Sequence, residues 1–248
     1  MKRSGLLVAL AVALHFIGVR IPPVMAQEGR PQLEVLFEDH HDVTRPLKDI
    51  EPALRRGGTP REIPLHLRRL ANKPHQKDPV VQRSKGAPLS TTAGANILGV
   101  GAGFTGPQET FPVDAAPPDP NGAVGVTQFV HWVNESFAVF DKATGAVLHG
   151  PVAGNTLWSG FGGGCETNND GDPIVAYNKA ADRWVTTQLS VSTTPYLQCV
   201  AVLTSSDATG AWYRYAFQMP NFPDYPNLAV WPDAYYMSFN RSSRRIWV

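Results

Sequence analysis

Three aspartates recur at nearly equal spacing: Asp119 in Asp119-Pro120-Asn121, Asp172 in Asp172-Pro173-Ile174 and Asp224 in Asp224-Tyr225-Pro226, at intervals of 53 and 52 residues. Two carboxylates held about 5 to 10 Å apart are what glycoside hydrolysis requires, so glycan cleavage is the first chemistry to weigh. The recurrence itself argues for another role. A residue that returns at the same place in each repeat is expected to brace the start of a strand by accepting backbone amides.

The densest polar constellation runs from Phe161 through Gly162, Gly163, Gly164, Cys165, Glu166, Thr167, Asn168, Asn169, Asp170 and Gly171 to Asp172 and Pro173. Glu166, Asn168, Asp170 and Asp172 alternate as the oxygen ligands of a calcium loop do, which makes calcium the one cofactor to test. The match is loose, since the first ligand is Glu and the twelfth place holds Tyr177. Asn, Asp and Gly in such a run also make an ordinary turn. Gly162 to Gly164 is no phosphate cradle, because the Lys-Ser/Thr that comes after one is missing. Serine-hydrolase chemistry is poorly served: after residue 99 the histidines are His131 and His149, and no Gly-x-Ser-x-Gly elbow occurs. His131, beside Trp132 on an alternating segment, reads as a packed or surface histidine.

Each recurring Asp precedes a similar pattern. A short apolar segment (Ala123 to Val126, Ile174 to Tyr177, Leu228 to Trp231) leads through a polar turn to an aromatic strand (Gln128 to Val133, Arg183 to Leu189, Ala234 to Phe239). Phe137 to Phe140, the turn Asp141 to Gly145, and Ala146 to Leu148 read as strand, turn, strand, and Cys199 to Leu203, Thr204 to Gly210 and Ala211 to Phe217 repeat the device. A sustained 3.6-residue apolar period is missing after residue 119, which argues against a parallel α/β sheet. A period near 50 in an all-β chain predicts four-stranded propeller blades. The fold class expected is therefore all-β: a partial β-propeller of about two blades plus the start of a third, which would make the chain a fragment of a longer protein.

Composition divides the chain. Of the 24 Phe, Tyr and Trp residues, 22 lie after residue 99, which places the expected core in the C-terminal half. Residues 27–98 carry 12 Lys+Arg against 9 Asp+Glu, and residues 99–248 carry 7 against 12, a contrast too mild to imply nucleic acid. Lys2 and Arg3, the apolar run Leu6 to Val19 and the small-residue site Val24-Met25-Ala26 spell a secretory signal peptide over 1–26. The apolar run is too short to span a bilayer, so no transmembrane helix is expected after its removal. Residues 27–98 read as a flexible charged leader with a helical hint from Pro64 to Leu70, residues 99–118 as a Gly/Pro-rich lead-in, and 119–248 as the blades. Export puts Cys165 and Cys199 in an oxidising compartment, where an even pair forms a disulfide.

The turn Ser205-Ser206-Asp207-Ala208-Thr209-Gly210-Ala211-Trp212 resembles the Asp-box of sialidase-like propellers: Ser205, Asp207 and Trp212 keep their spacing, Gly210 falls one place late, and Ala211 stands where the box has Thr. In that family the box is structural, so the resemblance implies a fold and not a sialidase reaction. Pro118-Asp119-Pro120-Asn121-Gly122, Leu157-Trp158-Ser159-Gly160-Phe161, Gly171-Asp172-Pro173-Ile174-Val175, Ala181-Asp182-Arg183-Trp184 and Trp231-Pro232-Asp233 make about half the chain similar to a group of uncharacterised secreted bacterial propeller proteins. The expected object is an extracellular, periplasmic or cell-surface module that binds a glycan, a cell-wall polymer or an extracellular protein through polar rim loops. The rival is a fragment of a sialidase-like glycan-processing enzyme, which would need several arginines around a carboxylate. After residue 99 the arginines are Arg183, Arg214, Arg241, Arg244 and Arg245.

Overall fold

Alternating aromatic and β-branched residues build antiparallel sheets, and the described residues are mostly strand with a single α-helix among them. The computed structural model describes residues 36–53, 61, 62, 94, 95, 97, 99, 115–240, 246 and 247. The signal peptide of 1–26 and the helical hint from Pro64 to Leu70 lie outside them. All described residues belong to one compact unit, 33–248.

β1 (Glu38–Val43), β2 (Arg61–Glu62) and β3 (Ala115–Ala116) precede the main sheets, β2 and β3 pairing in parallel over two residues. The first sheet is the meander β4 (Pro120–Val124), β5 (Gln128–Val133), β6 (Ser136–Asp141) and β7 (Val147–Ala153). The second repeats it as β8 (Ile174–Asn178), β9 (Arg183–Ser190), β10 (Tyr196–Leu203) and β11 (Trp212–Met219), with β1 added outside β11. The third holds β12 (Asp224–Val230), β13 (Tyr235–Asn240) and the two-residue β14 (Ile246–Trp247). The leading strands β4, β8 and β12 lie side by side, β8 in the middle. Asn121 Oδ1 accepts the Val175 N–H at 2.8 Å across the first pair, and Asn178 Nδ2 donates to the Tyr235 hydroxyl at 3.2 Å between the second and third sheets.

A backbone device marks the start of each leading strand. Asp119 (φ 37°), Asp172 (φ 47°) and Tyr225 (φ 50°) all adopt the left-handed conformation, which is costly for residues with a Cβ, and each directly precedes a proline. Counted from these residues the period is 53 both times. The third copy has one extra residue between its Asp and its Pro, and a register shift between Asp224 and Asn227 absorbs it as a bulge.

The core lies between the first and second sheets. Trp132 stacks on Phe137 with ring centroids 4.6 Å apart, and Trp158, Trp184, Cys199, Leu203 and Trp212 complete a buried cluster. Trp184 wedges against the turn after β4 so tightly that a Cβ on Gly125 would stand 2.6 Å from its ring.

Two expectations need correction. The segment 27–98 is not a flexible leader over 36–53: β1 pairs antiparallel with β11, and Leu47 (0% exposed) and Ile50 join the core. Glu38-Asp39-His40-His41-Asp42-Val43 lacks apolar alternation, and an ion pair reinforces its backbone pairing with β11. The Asp42 carboxylate takes two hydrogen bonds from Arg214, from Nε at 2.8 Å and Nη2 at 2.6 Å. The remaining Arg214 nitrogen, Nη1, donates to the carbonyls of Leu157 and Ser159, both at 3.0 Å, and the guanidinium lies over the Phe161 ring. The other correction falls in the glycine-rich run. Gly163–Thr167 forms a one-turn helix, α1, preceded by a short 3-10 helix at Gly154–Trp158.

Candidate functional site

The chemistry-bearing residues gather at the end of the sheets where the leading strands begin. There Asp172 donates a side-chain hydrogen bond to Asp119, and Asp224 lies close enough to add its charge. Burial raises Asp172, and the neighbouring Asp119 and Asp224 charges raise it further, to about 6, against a lowering hydrogen bond from the Tyr225 backbone. Burial also raises Asp119, partly offset by the bond from Asp172. A carboxyl raised in this way keeps its proton in the folded chain between about pH 4 and 6, where the unfolded chain has lost it. Folding stability therefore falls as pH rises through that window and levels off above it.

Around these carboxylates two loops are locked together. Cys165 on α1 is bonded to Cys199 on β10, with Cα atoms 5.9 Å apart, as the pairing of an even number of cysteines predicts. Glu166 accepts the backbone N–H groups of Gly160 (2.8 Å) and Gly162 (2.7 Å), closing the glycine-rich turn on itself. Asn168 Nδ2 donates to Ser190 Oγ at 3.0 Å and Thr193 Oγ1 at 2.8 Å. Asp170 accepts the backbone N–H of Val191 (2.5 Å) and of Ser192 (2.6 Å), and the Ser192 hydroxyl as well. Glycine is required at Gly171, which has φ +84° and packs so closely that a Cβ would meet Asn134 Oδ1.

The four residues proposed as a calcium loop thus have separate duties. Glu166 serves its own turn, Asn168 and Asp170 tie that loop to residues 190–193, and Asp172 turns to Asp119. Among the described residues no group of three His, Cys, Asp or Glu side chains is placed to hold a metal ion.

The Asp-box-like turn lies at the opposite end of the second sheet, between β10 and β11. Asp207 Oδ1 accepts the Thr209 N–H at 3.0 Å and the Thr209 hydroxyl at 2.8 Å, and Ser205 Oγ accepts the Asp207 N–H at 3.3 Å. Gly210 donates to the Asp207 carbonyl at 2.8 Å, while Trp212 Nε1 reaches the Ala208 carbonyl from the core. Gln128 on β5 was not singled out by its sequence context, yet it clamps this turn to the first sheet. Its Nε2 donates to Asp207 Oδ1 at 2.8 Å, and its Oε1 accepts the Ala208 N–H at 2.7 Å. Against the desolvation of its partly buried place, Gln128 and Thr209 hold Asp207 below the usual carboxylate range.

Of the arginines expected around an enzymatic carboxylate, the two among the described residues are engaged elsewhere. Arg214 is committed to Asp42, and Arg183 Nη1 donates to the exposed Asp182 carbonyl. Arg241, Arg244 and Arg245 lie outside the described residues. His131 and His149 sit on β5 and β7, and burial lowers the pKa of both.

A concavity lies between β10 and β11 on one side and β12 and β13 on the other. It has a volume of about 530 Å³, and its walls include Val200, Tyr215, Phe217, Leu228, Tyr235 and Met237. Its lining carries no charged side chain. Among the described residues no helix is long and apolar enough to cross a membrane. Comparison with protein-family models, curated proteins and solved structures finds no match.

Proposed function

We propose that the chain is part of an exported β-propeller, at the cell surface or beyond it, that binds its partner through the polar loops at the end where the leading strands begin. The observation that carries the binding reading is the lock between loop 159–171 and turn 191–195. The bonds of Asn168 and Asp170 join the two segments and a disulfide anchors the first of them to β10, while Gly162, Gly163, Thr167, Ser192, Thr193 and Thr194 remain exposed. A polar surface fixed in advance loses little entropy on binding. Short hydroxyls and open backbone suit a glycan, a cell-wall polymer or an extracellular protein. The propeller reading is supported by three leading strands packed side by side, each opened by the same left-handed residue before proline, and by the Asp207 turn that resembles an Asp-box.

A glycan-processing enzyme is the second reading, favoured by the proton that Asp172 retains near pH 6. The hydrogen-bonded Asp119 and Asp172 sit closer than the roughly 5 to 10 Å that glycosidic cleavage uses. As a pair they fit a brace better than an acid and a nucleophile.

Thr194→Arg, placed on the exposed rim, is expected to weaken retention on a panel of immobilised glycans and wall polymers by about tenfold or more, a free-energy loss of about 1.4 kcal/mol. Asp172→Asn is expected to bind as the parent does, with no sugar released by either. Release of reducing sugar that Asp172→Asn abolishes would replace the binding reading with the enzymatic one.

A further inference from the structure

We infer that Tyr225 is a stacking platform at the rim, and that what stacks on it is a sugar ring of a polysaccharide without acidic groups. The inference deepens the rim-binding reading and rests on it. In the first two repeats the left-handed residue before the leading strand is Asp119 or Asp172, a type that tolerates this conformation because its short side chain bonds to nearby groups. In the third repeat the extra residue leaves Asp224 one place back and puts Tyr225 in that position, with φ 50°. A bulky aromatic gains nothing local from a left-handed backbone, and Tyr225 is 62% exposed, so packing does not offset the strain either. Its backbone is pinned on both sides all the same. The Tyr225 N–H donates to the Asp172 carboxyl, and the Tyr225 carbonyl accepts Asn227 Nδ2 at 3.3 Å. A strained residue is thus held in place while its ring meets solvent beside the carboxylates, as strain kept for function would have it.

Two observations at this end select a sugar. A sugar ring has a face of C–H groups that packs on an aromatic ring, and a border of hydroxyls that needs short donors and acceptors beside it. Both kinds of partner lie together here. Tyr225 comes three residues after Phe222, whose ring meets Tyr196 edge-on with centroids 5.8 Å apart. Tyr196 in turn comes two residues after Thr194, the last of the exposed hydroxyl run Ser192, Thr193 and Thr194. The charge at this end sets the class of polysaccharide. Asp119, Asp172 and Asp224 neighbour one another there, whereas Lys48, Lys142, Lys179 and Arg183 stand at the opposite ends of the strands, at or against the turns that join them. An acidic polymer brought to the carboxylate end is repelled, and an uncharged one is not.

The test is retention of the full chain on immobilised laminarin, galactomannan and arabinoxylan, with polygalacturonate as the acidic comparison. At least one neutral polymer should retain the chain, and polygalacturonate should not. Tyr225→Gly should raise the dissociation constant about tenfold or more. Its urea midpoint should stay at or above the parent's, because glycine adopts φ 50° without strain, so the loss cannot come from unfolding. Tyr225→Phe keeps the ring and should bind as the parent does. Retention on a neutral polymer that Thr194→Arg weakens and Tyr225→Gly does not would overturn the inference and leave the rim reading standing, and retention indifferent to both changes would overturn the two together. Retention on polygalacturonate alone, or on none of these polymers, would also overturn the inference.

Discussion

Replacing Arg214 by alanine is expected to destabilise the fold by about 3 kcal/mol, the low end of the range for removing one member of a buried ion pair, because the Asp42 side chain is 30% exposed. The side chain is 4% exposed and has three attachments: the Asp42 carboxylate, the carbonyls of Leu157 and Ser159, and the Phe161 ring face. Truncation strands two carbonyls and leaves the Asp42 carboxylate to water. Because Asp42 lies on β1, the same change should free that strand from the edge of β11. Urea unfolding with amide exchange along 38–43 checks both effects. Arg214→Ala and Asp42→Ala combined should cost less than the sum of the two single changes, since they remove one shared interaction. Full additivity, with β1 protection retained, would show that the strand is held by its backbone pairing alone.

The double change Cys165→Ala with Cys199→Ala should lower unfolding free energy by about 3 to 4 kcal/mol, the chain-entropy value for a loop of this size. The bond spans 34 residues and joins α1 to the central strand β10, so the loss should appear as an earlier urea midpoint. Both sulfurs are buried at 0% exposure, and the double change leaves no stray buried thiol. Rim retention should weaken with it, because the bond fixes one of the two rim loops. Equal midpoints for the oxidised protein and the double variant would mean that Asn168 and Asp170 hold the loop unaided.

What the sequence made legible was whatever alternates. Gln128 to Val133 was delimited from residue types alone and forms β5 with the same bounds, and the expected strand Arg183 to Leu189 differs from β9 by one residue. Asp119 and Asp172 of the aspartate echo take the left-handed conformation, whereas in the third stretch Tyr225, and not Asp224, does so. Features that depend on partners distant in sequence were hidden. The β1 segment is held by an arginine 172 residues away and carries no apolar period of its own. Gln128 gives no local hint that it clamps a turn 79 residues ahead. The alternation of Glu166, Asn168 and Asp170 suggested convergence on one ion, yet a one-turn helix and the turn after it aim them at different partners, Glu166 and Asp170 at backbone amides and Asn168 at two hydroxyls. Spacing along a chain does not specify direction when the local backbone is helical for a single turn.

The central claim is that the three leading strands start side by side, where Asp119, Asp172 and Asp224 neighbour one another. Carboxyl carbon NMR of the aspartates across pH 3 to 8 tests it most directly, with Asp119→Asn and Asp224→Asn as companions. One aspartate, assigned as Asp172 by its loss in Asp172→Asn, should titrate near 6. Its midpoint should fall in each companion variant, since each removes a negative neighbour. The account is contradicted if every aspartate titrates below about 5, within the ordinary carboxylate spread, or if Asp172 does not respond to the loss of Asp224.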